Sequence, residues 1–315
     1  MRPTVSAAPH VASRKGHVSR WLDEPQRLAF LLLLPTLVLV FGVLFYPIVH
    51  TFVLSLTDTH LARPDSGAFV GLGNFLDAAR DPEFRAAMGR TFYFALVTVP
   101  VEVFLGLLIA LLLNQPFRGR SFVRGLIILP WALPYVVNGV MWKWIFNANY
   151  GALNAALTQI GIIDRYQVWL GDPSTALNFV IFASIWKETP VAVILLLAAL
   201  QGIPSELYEA ARVDGANAFQ RVRAVTLPLL RPVIAVTMVV KTVWALKEFD
   251  LIYVMTGGGP ANATNVATFY TYLTTFKFLK FGYGAALAII IVLFALVIAY
   301  FYVRMISPAS ARGRQ

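Results

Sequence analysis

Six long apolar runs, separated by polar connections, dominate the pattern of this chain. They cover roughly residues 28–56, 92–113, 121–146, 176–200, 232–256 and 284–303. A helix needs about 20 apolar residues to cross the hydrocarbon core of a bilayer, and each run is long enough. Lipid leaves backbone amides no outside partner, so each segment must form its own hydrogen bonds. The pattern predicts an all-α, polytopic membrane bundle of six transmembrane helices over residues 28–304.

The polar ends of the chain are predicted to be tails, over residues 1–27 and 305–315. The apolar run from Leu28 is longer than the core of a secretory signal, and no small-residue cleavage site precedes it. We therefore expect this run to remain as the first span. In the following connection, the spacing of Phe75, Leu76 and Ala79 predicts a short surface helix, either as a cap over the bundle or as a docking face for a partner.

Composition and charge support a membrane protein with a defined orientation. Hydrophobic residues make up 58% of the chain and charged residues 13%, whereas soluble domains have about a quarter charged residues. Fifteen Lys and Arg residues lie in the tails and the second and fourth connections, against seven in the alternate connections. The positive-inside bias predicts that both termini and the fourth connection are cytoplasmic. The formal charge of +10 is thus explained by orientation and not by nucleic acid binding.

Composition also excludes several kinds of chemistry. The chain has no cysteine, and its four histidines show no ligand spacing. We expect no metal site, no redox centre and no cofactor.

The fourth connection, residues 201–231, contains the most informative polar stretch. Ser205 is expected to cap a short helix that Gly215 ends in a left-handed conformation. Asn217 then begins a second helix, and Gln220 three residues later fits a capping box. The pattern predicts a helix-turn-helix elbow outside the membrane.

Within this elbow, Glu209-Ala210-Ala211 is followed by Gly215 and then by Val225-x-Leu227-Pro228. This spacing resembles the cytoplasmic EAA loop of binding-protein-dependent ABC importers, the segment through which the membrane subunit contacts its ATPase. The resemblance assigns ATPase coupling to a group of five residues, Glu209, Ala210, Ala211, Asp214 and Gly215. Small alanines allow close approach of another backbone, and the Glu209 carboxylate offers a directed contact to an Arg or Lys.

A second landmark is the glycine run Thr256-Gly257-Gly258-Gly259-Pro260, preceded by Phe249-Asp250. Together with Gly71-Leu72-x-Asn74-Phe75 and Trp186-Lys187, it is similar to the carbohydrate-uptake permeases of the maltose and glycerol phosphate type. The resemblance covers about residues 28–304. It implies an inner-membrane, non-enzymatic half of a pore that works by alternating access. The implied partners are a second permease subunit in a heterodimer, two ATPase subunits, an extracytoplasmic solute-binding protein, a carbohydrate and membrane lipid.

The resemblance also places substrate-facing positions in the fourth and fifth spans, at Ser184, Lys187, Glu188, Lys241 and Ala245. Three aromatic side chains could lie against the apolar faces of a sugar: Trp186, Trp244 and Tyr253. A different interpretation is that buried charges pair only to lock helices together, for example Lys247 with Glu248 or Asp250.

Two further hypotheses concern the solute and the energy source. Charged side chains near the pathway leave open a charged sugar derivative, such as a glycerol phosphate or an amino sugar. An ion-coupled secondary transporter would instead use Glu102, Glu188 and Asp250 as ion sites. The soluble elbow favours the ATP-driven class, because an ion-driven carrier has no use for it. A scaffold or membrane enzyme is disfavoured, since the connections show no catalytic pairing.

Overall fold

The computed structural model describes residues 25–306 and divides the chain after Val53. The first unit contains α1 (Pro25–Leu39), a π-helical turn (Val40–Phe45) and most of α2 (Tyr46–Ser55). Together they form an apolar helix over Leu28–Ser55 that is long enough to cross a membrane. Most of its side chains are exposed within the described chain, as expected for a helix covered by lipid or another protein.

The second unit is a helical bundle. Its first half contains α3 (Gly73–Arg80), α4 (Pro82–Asn114), α5 (Arg120–Ala132), α6 (Tyr135–Ile145), α7 (Ala152–Gln159) and α8 (Ala176–Gln201). Its second half contains α9 (Ser205–Val213), α10 (Ala218–Arg221), a π-helical turn (Val222–Thr226), α11 (Leu227–Leu246), α12 (Asp250–Met255), α13 (Ala267–Tyr272), a π-helical turn (Leu273–Lys277) and α14 (Phe281–Ile306).

Helices α4 and α8 form the centre of this bundle. They approach so closely at Gly106 that an added Cβ atom would lie 2.6 Å from the Cβ of Ala192. Beside this crossing, Val103 of α4, Leu196 of α8 and Leu230 of α11 belong to one buried apolar cluster. Small residues at the crossing let the backbones pack directly, as is common between membrane helices.

The third predicted span is broken. Helices α5 and α6 meet at an angle of 96° around Leu133 and Pro134. Proline cannot donate a backbone hydrogen bond, so a break here frees carbonyl groups that need a partner. Lys187 Nζ supplies it by donating to the carbonyl oxygens of Trp131 (3.2 Å) and Leu133 (2.6 Å).

The six predicted spans correspond to five unbroken helices and this bent pair. The second span begins earlier than predicted, because α4 continues outward to Pro82. The predicted surface helix is present as α3. The fifth span ends at Leu246, and residues predicted to extend it form the separate α12. The tails were predicted over residues 1–27 and 305–315; positions 1–24 and 307–315 lie outside the described residues.

Candidate functional site

A buried cluster of charges joins three helices in the middle of the bundle. Lys241 Nζ on α11 lies 2.8 Å from Glu188 Oε2 on α8 and 3.1 Å from Glu102 Oε2 on α4. It also donates to the backbone carbonyl of Glu188 at 2.8 Å. The Lys241 side chain is only 1% exposed, so its charge is neutralised inside the protein.

Tyr135 extends the cluster to the broken span. Its hydroxyl donates to Glu188 Oε1 at 2.6 Å, and Lys187 Nζ lies 4.3 Å from the centre of its ring. Three of the predicted pathway residues, Lys187, Glu188 and Lys241, therefore do come together. The charged group of each is paired or hydrogen-bonded within this chain. The ion pair expected between Lys247 and Glu248 or Asp250 is not found among the described residues.

An aromatic cavity of about 410 Å³ lies beside this cluster, where α5 meets α6 and α11 meets α12. Its lining combines four aromatic rings with three charged residues: Trp131, Tyr135, Trp244, Lys247, Glu248, Phe249 and Asp250. The Glu248 carboxylate accepts a hydrogen bond from the backbone amide of Leu251 at 3.0 Å, at the start of α12. We call this space the aromatic cavity.

Four other predicted pathway residues do not line the aromatic cavity: Ser184, Trp186, Ala245 and Tyr253. Ser184 is buried, and Ala245 packs against the apolar core. The ring of Trp186 lies edge-on to that of Trp142, with centroids 5.6 Å apart. Tyr253 stacks on Phe249 at 5.5 Å. Of the predicted aromatic platforms, only Trp244 reaches the cavity wall.

Sequence reasoning missed Trp131, Tyr135 and Phe249 as lining residues. A usable signal was present, since Pro130 and Pro134 bracket Trp131 and mark the place where the span breaks. Broken membrane helices commonly border binding cavities, because their freed polar groups face a cavity and not lipid.

The elbow consists of α9, α10 and the π-helical turn up to Thr226. Gly215 has φ +79° between α9 and α10, as predicted. The capping box is confirmed, with Asn217 Oδ1 accepting from the Gln220 amide and Gln220 Oε1 accepting from the Asn217 amide. The prediction that Ser205 caps α9 is wrong. Ser205 is the first helical residue, and Pro204 precedes the helix without a side-chain hydrogen bond.

The two faces of α9 differ. Ser205, Tyr208, Glu209 and Arg212 line a cavity of about 360 Å³ between the elbow and the end of α4. Arg221 also lines this cavity, so Glu209 has cationic neighbours within its own chain. The predicted coupling carboxylate thus lines this cavity and remains exposed to solvent.

The outer face of the elbow is exposed and partly apolar. Val213 is 88% exposed, Phe219 74% and Leu207 43%. The predicted coupling residues Ala210 and Asp214 are exposed beside them, whereas Ala211 is half-buried. Exposed apolar side chains clustered on a polar elbow are typical of a surface that another protein covers.

A polar cavity of about 530 Å³ lies at the opposite end of the bundle, between α3, the start of α4 and the start of α14. At its wall, Asp81 caps α4 and accepts hydrogen bonds from the hydroxyls of Tyr270 (2.7 Å) and Tyr283 (2.8 Å). Partial burial raises the pKa of the Asp81 carboxyl, but these hydrogen bonds outweigh it and hold the pKa below its usual value.

Comparison with known proteins identifies relatives of this chain. Residues 102–311 match the model of the family described as binding-protein-dependent transport system inner membrane component. The chain is 39% identical over 275 residues to a trehalose/maltose transport system permease protein of Thermococcus litoralis, covering 87% of this chain and 91% of the relative. It is 37% identical over 289 residues to a sulfoquinovosyl glycerol transport system permease protein of Agrobacterium fabrum, covering 91% and 93%.

The fold is also similar to that of a solved structure. A chain from the crystal structure of a bacterial alginate ABC transporter, in complex with an alginate pentasaccharide-bound periplasmic protein, superposes with a TM-score of 0.78. The alignment covers 91% of this chain and 96% of that chain at 24% identity. The likeness supports the helical fold.

Proposed function

The chain belongs to the binding-protein-dependent transport system inner membrane component family, and from this premise we propose that it is the permease subunit of an ATP-driven importer. Its solute is a carbohydrate that an extracytoplasmic binding protein delivers. The aromatic cavity carries this proposal, and the relatives named for trehalose, maltose and sulfoquinovosyl glycerol support a sugar.

The composition of the aromatic cavity suits a sugar. Rings such as those of Trp131 and Trp244 can pack against the apolar face of a pyranose, while Lys247 and Asp250 can hydrogen-bond its hydroxyls. The cavity lies where the third span is interrupted and the fifth span ends, and an interrupted span is a usual position for a transporter binding site. Because it contains no buried ion pair of its own within the described residues, its charged groups remain available to a solute.

Lys247 also supports a second candidate, a negatively charged sugar derivative. Lys247 is exposed at the cavity, and none of the described carboxylates lies within ion-pair distance of it. One relative is named for sulfoquinovosyl glycerol, which carries a sulfonate group. Replacing Lys247 with Met separates the two candidates: uptake of an acidic sugar would fall far more than uptake of a neutral one.

The elbow supports coupling to an ATPase. The apolar outer face around Val213 and Phe219 suits a groove on a nucleotide-hydrolysing subunit. We propose a complex of this chain with a second, different permease subunit and two ATPase subunits. The bundle end that carries the elbow then faces the cytoplasm together with both termini, and the polar cavity around Asp81 faces the binding protein.

Reconstitution tests the proposal. The complex is purified with its companion subunits, placed in proteoliposomes with ATP inside, and supplied with binding protein and labelled sugars. Uptake that requires both ATP and binding protein, and that a Trp244→Ala variant weakens, is the expected result. Uptake driven by an ion gradient without ATP would overturn the proposal.

A further inference from the structure

A narrow groove runs between α5 and α8 at the bundle end that carries the elbow. Its volume is about 220 Å³. Most of its wall is apolar, from Ile127 and Ile128 on α5 and from Ile194 and Leu197 on α8. Arg124 and Gln201 close the end nearest the elbow. The groove shares no lining residue with the aromatic cavity, so a ligand in the groove is independent of the proposed solute.

Two arginines converge at the closed end of the groove. With the Gln201 amide oriented to place its oxygen towards them, that oxygen accepts hydrogen bonds from Arg120 Nη2 at 3.2 Å and Arg124 Nη2 at 2.9 Å. The Nε atom of Arg124 is buried and has no hydrogen-bond partner within the described chain. A buried donor without an acceptor is costly, and this one belongs to an arginine that lines the groove.

The positive charge at this place is not neutralised by the protein. Across residues 25–306, the salt bridges join Lys241 to Glu102 and Glu188, so no described carboxylate pairs with Arg120 or Arg124. Arg118 adds a third cation in the short connection between α4 and α5. An anion is therefore the complementary ligand.

We propose that this groove binds an anionic phospholipid, with its phosphate on Arg120 and Arg124 and one acyl chain along Ile127, Ile194 and Leu197. Both arginines lie in the first two turns of α5, at one end of the bent third span, which in this proposal is the depth of the lipid headgroups, and the apolar wall then continues towards the middle of the bilayer. A soluble anion would satisfy the arginines but leave the apolar wall unused. A lipid matches both parts, because its phosphate lies at the membrane surface and its acyl chain runs towards the bilayer centre.

The headgroup contact is tested on the intact importer complex in nanodiscs. Phosphatidylglycerol is titrated against a phosphatidylcholine background, and the lipid retained after mild delipidation is counted by native mass spectrometry. We expect the variant R120Q/R124Q to retain phosphatidylglycerol with about fivefold lower affinity for each arginine removed. The matched control R304Q removes an exposed arginine in the last turn of α14, at the same end of the bundle. It should retain lipid as the wild type does.

The acyl-chain contact has a separate test that leaves the arginines in place. Ala198 is exposed and lines the groove, so A198F fills the groove without entering the core, whereas L195F adds bulk on the same helix outside it. We expect A198F, and not L195F, to lose the bound phosphatidylglycerol. Three results would overturn the proposal: equal retention of phosphatidylglycerol and phosphatidylcholine, an equal loss in R304Q, or crosslinking of Ile194→Cys to the companion permease in place of lipid.

Discussion

Lys241 on α11 and Glu188 on α8 form an ion pair at 2.8 Å inside the apolar bundle, 53 residues apart in sequence. Glu102 on α4 also contacts Lys241, so one ammonium group links three helices at the same depth in the bundle. Buried charges of this kind are tolerated only while each has its partner. The cluster also positions Tyr135, and through it one wall of the aromatic cavity.

Removing the central cation should destabilise the bundle. Lys241→Ala leaves two carboxylates buried without a cation, and we expect it to cost about 3–5 kcal/mol of unfolding free energy. Thermal unfolding of the purified complex measures this. Lys247→Ala, at an exposed lysine that follows the end of the same helix, is the matched control and should unfold as the wild type does. If Lys241→Ala lowered uptake but left the unfolding temperature unchanged, Lys241 would act on the solute and not on helix packing.

Truncating a tryptophan of the aromatic cavity should weaken the apparent affinity for the solute without affecting the fold. We expect Trp244→Ala or Trp131→Ala to raise the apparent KM for uptake about 2- to 10-fold, the range for the loss of one ring contact. Initial uptake rates in proteoliposomes measure the effect. Trp144→Ala provides the control, because Trp144 is 66% exposed and does not line the cavity. An equal change in Trp144→Ala would argue against the cavity as the solute site.

A charge on the outer face of the elbow should uncouple the ATPase. Val213→Glu places a carboxylate at a position that is 88% exposed, and we expect it to cost about 2 kcal/mol or more of association free energy with the ATPase subunit. Copurification and ATP-dependent uptake measure the loss. Val168→Glu changes a valine that is 57% exposed and lies outside the elbow, and it should leave copurification intact. Normal assembly of Val213→Glu would show that the ATPase binds elsewhere.

The Asp81 cap should make stability depend on acidic pH. Its pKa in the folded state is lower than its usual value, so its contribution is present above the unfolded pKa and is lost as pH falls through the folded pKa. Tyr270→Phe removes one of the hydrogen bonds that lower this pKa, so we expect the variant to lose less stability in acid than the wild type and to complete that loss at a higher pH. Thermal unfolding across the acidic range measures the shift.

Tyr93→Phe is the control for the Asp81 experiment. The hydroxyl of Tyr93 donates to the neutral amide of Asn178, so its loss should not change the acid dependence. Identical acid profiles for Tyr270→Phe and the wild type would show that the tyrosine bond does not control this carboxyl.

The crossing of α4 and α8 should tolerate no extra methyl group. Gly106→Ala forces a contact with Ala192, and we expect it to lower the unfolding free energy by about 1–3 kcal/mol. Gly89→Ala makes the same change earlier in α4, where nothing lies within 4 Å, and should be neutral or slightly stabilising. Equal effects at the two positions would mean that helix propensity, and not the close contact, determines the outcome.

Much of the architecture could be predicted from sequence because its causes are local. Bilayer thickness sets the length of each apolar run, so the spans can be counted from those runs alone. The elbow was equally predictable: Gly215 and the Asn217–Gln220 capping box depend on residues only a few positions apart. The break of the third span at Pro134 also has a local cause, a missing backbone donor, although the apolar run predicted one continuous span.

The sequence by itself thus determined a helical membrane bundle with a soluble elbow, whereas only the tertiary structure decided which charges pair and which side chains face the cavity. Lys241 has carboxylates near it in space that lie far from it in the chain, at Glu188 and Glu102, while Lys247 does not pair with its neighbour Asp250 within the described residues. Partners across a bundle are set by the rotation and depth of whole helices. Helix packing fixes those quantities, and neither can be obtained from the residues of one segment.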